Sequence, residues 1–256
     1  MDQHDMRRWT ERVAFVTGAS SGVGKAVAYR LAAEGMRVAA VARRAKRLEA
    51  LARDAEFDKL PGSIYPLQVD LADEDQVLAA FRAVREKWNG VDVLVNCAGC
   101  GHLAPVMSGR TEDWREMLDI NILALCICTR EAIQDMLRRK IDGHVIHISS
   151  MSSYRVPTDG GVYSATKAAV RAVTESLRQE LRAIGCGIRV SAISPGFIET
   201  EFAEHYHKRK SANIEFYKQY KVLQPEDLAD AVCFALSAPA HVQVHDILMR
   251  PLNQPQ

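Results

Sequence analysis

Residues 12–35 read RVAFVTGASSGVGKAVAYRLAAEG, and the order of residue types in this stretch decides the fold. Arg12 to Thr17 is a short apolar run with β-branched and aromatic side chains, the composition of a strand. Gly18, Gly22 and Gly24 follow, with Ser20 and Ser21 between them and Val23 separating the last two. KAVAYRLAA then has the composition of a helix. Strand, glycine-rich turn and helix, in that order, let the backbone approach a phosphate and point a helix N-terminus at it. The spacing is Gly-x-x-x-Gly-x-Gly, not the Gly-x-Gly-x-x-Gly of the standard dinucleotide fingerprint. The plainer reading is a glycine-rich turn with no ligand. The strand before it and the helix after it argue for a ligand site.

The next strand, RVAAVA at Arg37 to Ala42, ends where a dinucleotide fold meets the adenosine ribose. An acid there accepts the 2′-hydroxyl of NAD. This chain has Ala42, Arg43 and Arg44 instead, and no carboxylate before Glu49. Two guanidinium groups suit a 2′-phosphate, so the expected cofactor is NADP(H). The alternative is that Arg43 and Arg44 open a solvated basic helix, RRAKRLEALAR.

Strand-like and helix-like runs alternate along the rest of the chain. IYPLQVD precedes the helix DEDQVLAAFRAVREKW, and VDVLVN precedes a long helix at about 111–140. HVIHIS precedes a helix at about 163–184, and IRVSAIS follows. This alternation predicts one Rossmann-type, doubly wound α/β domain spanning 1–256, a parallel sheet with helices on both faces. Ligands in such sheets bind past the carboxyl ends of the strands. Gly18, Asn96, Ser150 and Pro195 all fall near such ends. No repeat or low-complexity linker interrupts the pattern, and residues 1–9 and 251–256 read as tails.

A second motif carries chemistry. Tyr163-Ser-Ala-Thr-Lys167 sits in a helical context, which places both side chains on one face at i and i+4. A free phenol has a pKa of about 10 and is a poor base at neutral pH. A nearby ammonium favours the phenolate, so Lys167 is expected to lower the Tyr163 pKa. Ser150 lies thirteen residues upstream.

Together these motifs resemble the short-chain dehydrogenase/reductase family, and the resemblance runs over about residues 10–250. It implies that Asp70, with Leu71, binds the adenine. Asn96-Cys97-Ala98-Gly99 is similar to the family's Asn-Asn-Ala-Gly at the cofactor, with Cys97 in place of the second Asn. Asn121 matches the asparagine of the catalytic tetrad, alongside Ser150, Tyr163 and Lys167. Pro195, Gly196, Ile198 and Thr200 match the loop around the nicotinamide. By the same resemblance Lys167 holds the nicotinamide ribose and Asn121 anchors a water behind it. LALCICTREA (123–132), ISSMSSYRV (148–156) and DILMRP (246–251) resemble a branch with insect farnesol dehydrogenases and an animal cytosolic 17β/3-ketosteroid reductase.

Composition restricts the remaining classes. The chain has 256 residues, 48% of them hydrophobic, and a net charge of +1. That is enough apolar content for a core and too little charge to draw nucleic acid or an anionic membrane. No signal-peptide pattern opens the chain and no apolar run is long enough for a membrane span, so a cytoplasmic location is expected. The six cysteines are expected to be free thiols. Cys97-x-x-Cys100 matches a redox or zinc pattern, and His144/His147 and His205/His207 can be read as metal pairs, but no metal is expected.

The segment 201–222 is rich in aromatics and charge. In the family this region forms the substrate lid, and Phe202, Tyr206, Phe216, Tyr217 and Tyr220 are candidates to line an apolar pocket. Lys208, Arg209 and Lys210 offer a rival, a carboxylate clamp suited to short 3-hydroxy acids. A further rival is an NADP sensor without turnover. The apolar faces of the helices at 111–140 and 163–184 point to a homodimer or homotetramer, with Leu125 and Ile133 near or under the helix pair.

Overall fold

The computed structural model describes residues 5–158, 160–207 and 220–254. In chain order its main elements are β1 (Val13–Thr17), α1 (Gly22–Ala33), β2 (Arg37–Ala42), α2 (Ala45–Phe57), β3 (Ser63–Gln68), α3 (Glu74–Trp88) and β4 (Val93–Asn96). There follow α4 (Thr111–Leu118), α5 (Ala124–Arg139), β5 (His144–Ile148), α6 (Gly161–Ala183), β6 (Arg189–Pro195), α7 (Phe202–His207), α8 (Pro225–Ser237) and β7 (Asp246–Met249).

The strands form one parallel sheet in the order β3-β2-β1-β4-β5-β6-β7. Its central strands are fully buried because both faces are covered, and most of their residues are apolar. In β1, Ala14 and Val16 face α1, α2 and α8, where Val27, Leu31, Leu48, Leu228 and Val232 pack. Val13 and Phe15 face the opposite side, against Val77, Phe81, Ile127 and Met136 of α3 and α5. Phe15 stacks on Phe81 with ring centroids 4.2 Å apart. Pro66 lies within β3, which is tolerated because β3 is the sheet edge.

The helix ends are written locally. Asp73 caps α3 by accepting from Gln76 N, and Asn89 closes it in the left-handed conformation at φ 65°. A Gln224/Asp227 capping box opens α8, with Pro225 at its first position.

Three details differ from the sequence expectation. The long helix at 111–140 is α4 and α5 joined by a π turn at Asp119–Leu123. Strand β3 ends at Gln68, and Val69-Asp70-Leu71 lie just beyond it. Residues 5–9 are not a free tail, because Trp9 is buried and donates its indole N–H to Leu236 O at the end of α8 (2.9 Å). An aromatic with one polar atom can anchor a terminus in this way.

Candidate active site

The chain runs from β1 outward to β3 and then returns to β4, beside β1. That reversal opens a crevice at the carboxyl ends of β1 and β4, where a ligand fits between diverging connections. Thr17 ends β1, and its hydroxyl accepts from both Cys97 N and Ala98 N at 3.0 Å, tying the two loops together. Gly18 follows with φ +71°, and a methyl built on it would lie 2.9 Å from the Ala98 backbone. Only glycine serves both demands. The N-terminus of α1 at Ser21 has no side-chain cap, which leaves its amides aimed at the crevice.

Gly18, Ser20, Ser21, Gly22, Val23 and Gly24 thus form one continuous cradle. At its rim, Arg44 donates to Ser20 Oγ at 3.0 Å and Ser21 Oγ at 2.5 Å. Arg44 and Arg47 both pair with Glu201, which holds the Glu201 carboxyl below its usual range. Arg43 is exposed beside them, and the helix opens at Ala45. The uncapped helix end, the glycine cradle and the arginines fit a dinucleotide bearing an extra phosphate.

On the far side of the crevice, Asp70 N donates to Gln76 Oε1 at 2.9 Å and Leu71 is buried. Leu71, Thr17, Asn96 and Ala98 line one recess. Asn96 is buried at the end of β4 and starts a chain of hydrogen bonds that sequence reading missed. Asn96 Nδ2 donates to Thr129 Oγ1 (3.0 Å), Thr129 meets His147 Nε2 (3.2 Å), and His147 Nδ1 meets Thr174 Oγ1 (2.9 Å). Thr174 spends its proton on Val170 O (2.7 Å), so it accepts from His147 Nδ1–H. Thr129 accepts from Asn96 and therefore donates to His147 Nε2. The chain fixes one neutral tautomer, and burial holds the His147 pKa down to about 3. His144 is buried separately, against Ser191 Oγ at 2.9 Å, so the two histidines do not converge on one ligand.

The tetrad candidates gather at the ends of β4 and β5. Tyr163 and Lys167 lie on the first two turns of α6, and Tyr163 hydrogen-bonds to Ser150. Ser150 Oγ also accepts from Ser152 N at 3.1 Å. Lys167 Nζ donates to Ile148 O at 3.0 Å and stands 5.9 Å from the Tyr163 ring centroid. Asn121 sits in the π turn and is buried. Its Oδ1 accepts from Cys100 N and its Nδ2 donates to Cys100 O, both at 2.9 Å. A third bond joins it to Thr166 Oγ1 at 3.0 Å. Gly99 is the neighbour of both Asn121 and Lys167, since a methyl on it would lie 3.3 Å from Asn121 Oδ1 and 3.4 Å from Lys167 Nζ. A π turn in a helix is a frequent mark of a functional position.

The expected pKa relation within this group needs correction. Burial is the largest influence on Tyr163 and pushes its pKa above the ordinary phenol value, while the Ser150 hydrogen bond pulls the other way. Lys167 is not among the causes. Burial lowers Lys167 itself to about 8. The ammonium faces the Ile148 carbonyl rather than the phenol oxygen, so the i, i+4 spacing brings the side chains together without a direct bond.

Pro195 ends β6, and Gly196 N donates to Met249 O at 2.8 Å. Ile198 bridges to Leu223, and Thr200 packs on Gly22 at the phosphate cradle. Directly after this loop, Phe202 and Tyr206 of α7 stand 5.6 Å and 6.0 Å from the Tyr163 ring. Tyr220 is half-buried. Phe216, Tyr217, Lys208, Arg209 and Lys210 lie outside the described residues.

Comparison with known proteins agrees with this geometry. The family model described as short chain dehydrogenase matches residues 12–211. Dehydrogenase/reductase SDR family member 11 of Bos taurus is 47% identical, covering 97% of this chain and 99% of the relative. Farnesol dehydrogenase of Aedes aegypti is 37% identical, with the same coverage of both chains. Among solved structures, a closed serine dehydrogenase complexed with NADP+ superposes with a TM-score of 0.88 at 32% identity, covering 95% of this chain and 96% of that one. L-Sorbose reductase from Gluconobacter frateurii, complexed with NADPH and L-sorbose, gives a TM-score of 0.83 at 29% identity, with 97% of each chain covered. A phosphate cradle at the β1/β4 reversal, a Ser-Tyr-Lys corner beside it, and close relatives over nearly the whole length lead to one assignment: the chain belongs to the short-chain dehydrogenase/reductase family of oxidoreductases.

Proposed function

We propose that this protein is an NADP(H)-dependent oxidoreductase acting on a secondary alcohol or carbonyl of an apolar substrate of terpenol or ketosteroid size. The observation that carries this reading is the Ser150–Tyr163 hydrogen bond in a half-buried corner walled by Phe202 and Tyr206. The nicotinamide supplies or accepts the hydride. In reduction, Tyr163 donates its proton to the oxygen of the carbonyl, as general acid. Its raised pKa keeps that proton in place until charge develops on the substrate. Ser150 hydrogen-bonds the same oxygen and fixes it. Lys167 holds the ribose side of the site, and Asn121 fixes the Cys100 turn beside it. Ser20, Ser21, Arg43 and Arg44 bind the phosphate end.

Several observations support an apolar substrate. Phe202 and Tyr206 pack against each other and against the Tyr163 ring. Leu103, Val106 and Met107 are exposed on the β4–α4 loop, which is joined to α7 by Leu103 N donating to Tyr206 O at 3.0 Å. The relative named farnesol dehydrogenase points the same way, whereas the similar structures named serine dehydrogenase and L-sorbose reductase are named for small polar substrates. Such a pocket binds by area, at about 25 cal/mol per Å² buried. The test compares farnesol or a 17-ketosteroid with 3-hydroxypropionate or serine. The bulky substrate should have the higher kcat/KM by at least about tenfold, since two extra buried methylenes contribute about 1.6 kcal/mol. Preference for the short carboxylates would overturn the apolar-pocket reading. We place the protein in the cytoplasm, as a homo-oligomer with 201–222 as its substrate lid; the described residues include no helix long and apolar enough to cross a membrane.

A further inference from the structure

Beside the Tyr163 corner lies a cluster that the proposed reaction does not use. The Cys100 thiol, a His102 ring nitrogen and a Glu116 carboxylate oxygen all lie within 4.8 Å of one another. Cys100 and His102 stand on the turn after β4, and Glu116 comes from α4. Sequence spacing hid the group, because Cys97-x-x-Cys100 suggested the wrong cysteine pair and Glu116 is distant in sequence. We propose that Cys100, His102 and Glu116 bind a zinc-class divalent cation, and that occupation of this site lowers turnover.

The donor set favours that class of ion. Sulfur, imidazole nitrogen and carboxylate oxygen together suit zinc, whereas magnesium and calcium take oxygen donors. Three protein ligands leave a fourth position open for water. His102 presents Nε2 to Glu116 Oε2 at 2.7 Å. Its Nδ1 is buried and has no hydrogen-bond partner among the described residues, an unmet polar atom on a ring of the cluster. The Cys100 thiol makes a long 3.5 Å contact with Glu116 O. Cys100 is nonetheless held firmly, because Asn121 clamps both its N–H and its carbonyl. Glu116 is 44% exposed, so the site has an open side for entry. On binding, the Sγ–metal bond forms as the thiol proton leaves to solvent, and the direct His102–Glu116 hydrogen bond opens so that each group turns a donor atom onto the ion.

The link to turnover is Gly101, between two of the ligands. A methyl on Gly101 would lie 2.6 Å from Phe202, 2.8 Å from Tyr206 and 3.1 Å from Tyr163. Pulling Cys100 and His102 around an ion therefore shifts the strip of backbone against which the Tyr163 and α7 rings pack. The binding site stands independently of the proposed activity; only its effect on turnover rests on that reading.

The experiment titrates the reduced, full-length protein with Co2+, whose thiolate charge-transfer absorption reports sulfur ligation directly. The expected result is a band saturating at one ion per chain, displaced by Zn2+ and lost in Cys100→Ser. His102→Ala and Glu116→Gln should each weaken the ion at least about tenfold. Zn2+ should slow NADPH-linked turnover of the wild type reversibly, with chelator restoring it, while His102→Ala keeps its metal-free rate and resists the ion. Absence of a thiolate band in the wild type, or its persistence in Cys100→Ser, overturns the site. A band that behaves as expected, with turnover unmoved by Zn2+, overturns the coupling.

Discussion

Arg44 and Glu201 form an ion pair of 2.9 Å across the mouth of the phosphate cradle, joining the end of β2 to the start of the segment that carries α7. The same guanidinium donates to Ser20 and Ser21. A carboxylate therefore occupies the partner position that a cofactor phosphate would claim. Glu201→Gln removes that competitor along with one negative charge. An exposed pair is worth about 0.2–1 kcal/mol, so NADPH should bind more tightly by up to about fivefold, with NADH little changed. Fluorescence titration of both cofactors checks this. Weaker NADPH binding would mean that Glu201 positions Arg44 rather than competing for it.

Arg43 is the exposed guanidinium beside this pair. Arg43→Asp should remove a grip on the 2′-phosphate and place an acid near the ribose. Loss of one charge-assisted bond costs about 1.5–3 kcal/mol, so preference should move toward NADH by at least about tenfold in kcat/KM. Equal use of NADH and NADPH by the wild type would show that the Ala42-Arg43-Arg44 signal was misread.

What was legible in the sequence was whatever local chemistry writes in consecutive residues. The two-sided burial of β1 and β2 shows as unbroken apolar runs, and the strand, glycine turn and helix order gave the parallel sheet. The pairing of Tyr163 and Lys167 was legible because a helix fixes i and i+4, whereas Ser150 lies before that helix and was indicated only by the family resemblance. The π turn at Asp119–Leu123 left no mark, since DINIL reads as ordinary helix. The Asn96–Thr129–His147–Thr174 chain joins four elements, and no spacing within any one of them announces it. The pKa of Tyr163 was misjudged because adjacency in sequence says nothing about burial or about Lys167 donating to Ile148.

Two buried histidines make stability depend on pH. Burial holds His147 near 3 and pushes His144 well below the ordinary value of 6.5. Below pH 6.5 the unfolded chain takes up protons that the folded chain refuses, so stability falls as the pH falls. Between pH 8 and pH 5 the loss should be about 2 kcal/mol for each histidine. Urea unfolding at the two pH values measures it, and a midpoint that does not move would contradict the neutral assignment.

The outer face of α4 and α5 bears on assembly. Leu125 and Ile133, expected near or under the helix pair, are buried within one chain at 5% and 8% exposure and so belong to its own core. Leu118, Leu123 and Leu137 point outward instead, at 50%, 55% and 38%. Exposed leucines on one helical stretch favour cover by a second copy. Sedimentation should find a dimer or tetramer of the 28.4 kDa chain, and Leu123→Glu with Leu137→Glu should dissociate it. A wild-type monomer at micromolar concentration would refute this.

The most direct test of the whole account is turnover by Tyr163→Phe. The substitution keeps the ring against Phe202 and Tyr206 and deletes the one atom assigned to proton transfer. NADPH should bind with nearly wild-type affinity by fluorescence titration, while kcat on a good carbonyl substrate falls by about 10²-fold or more, the range of general acid catalysis. Near-normal turnover with NADPH bound would contradict Tyr163 as the acid.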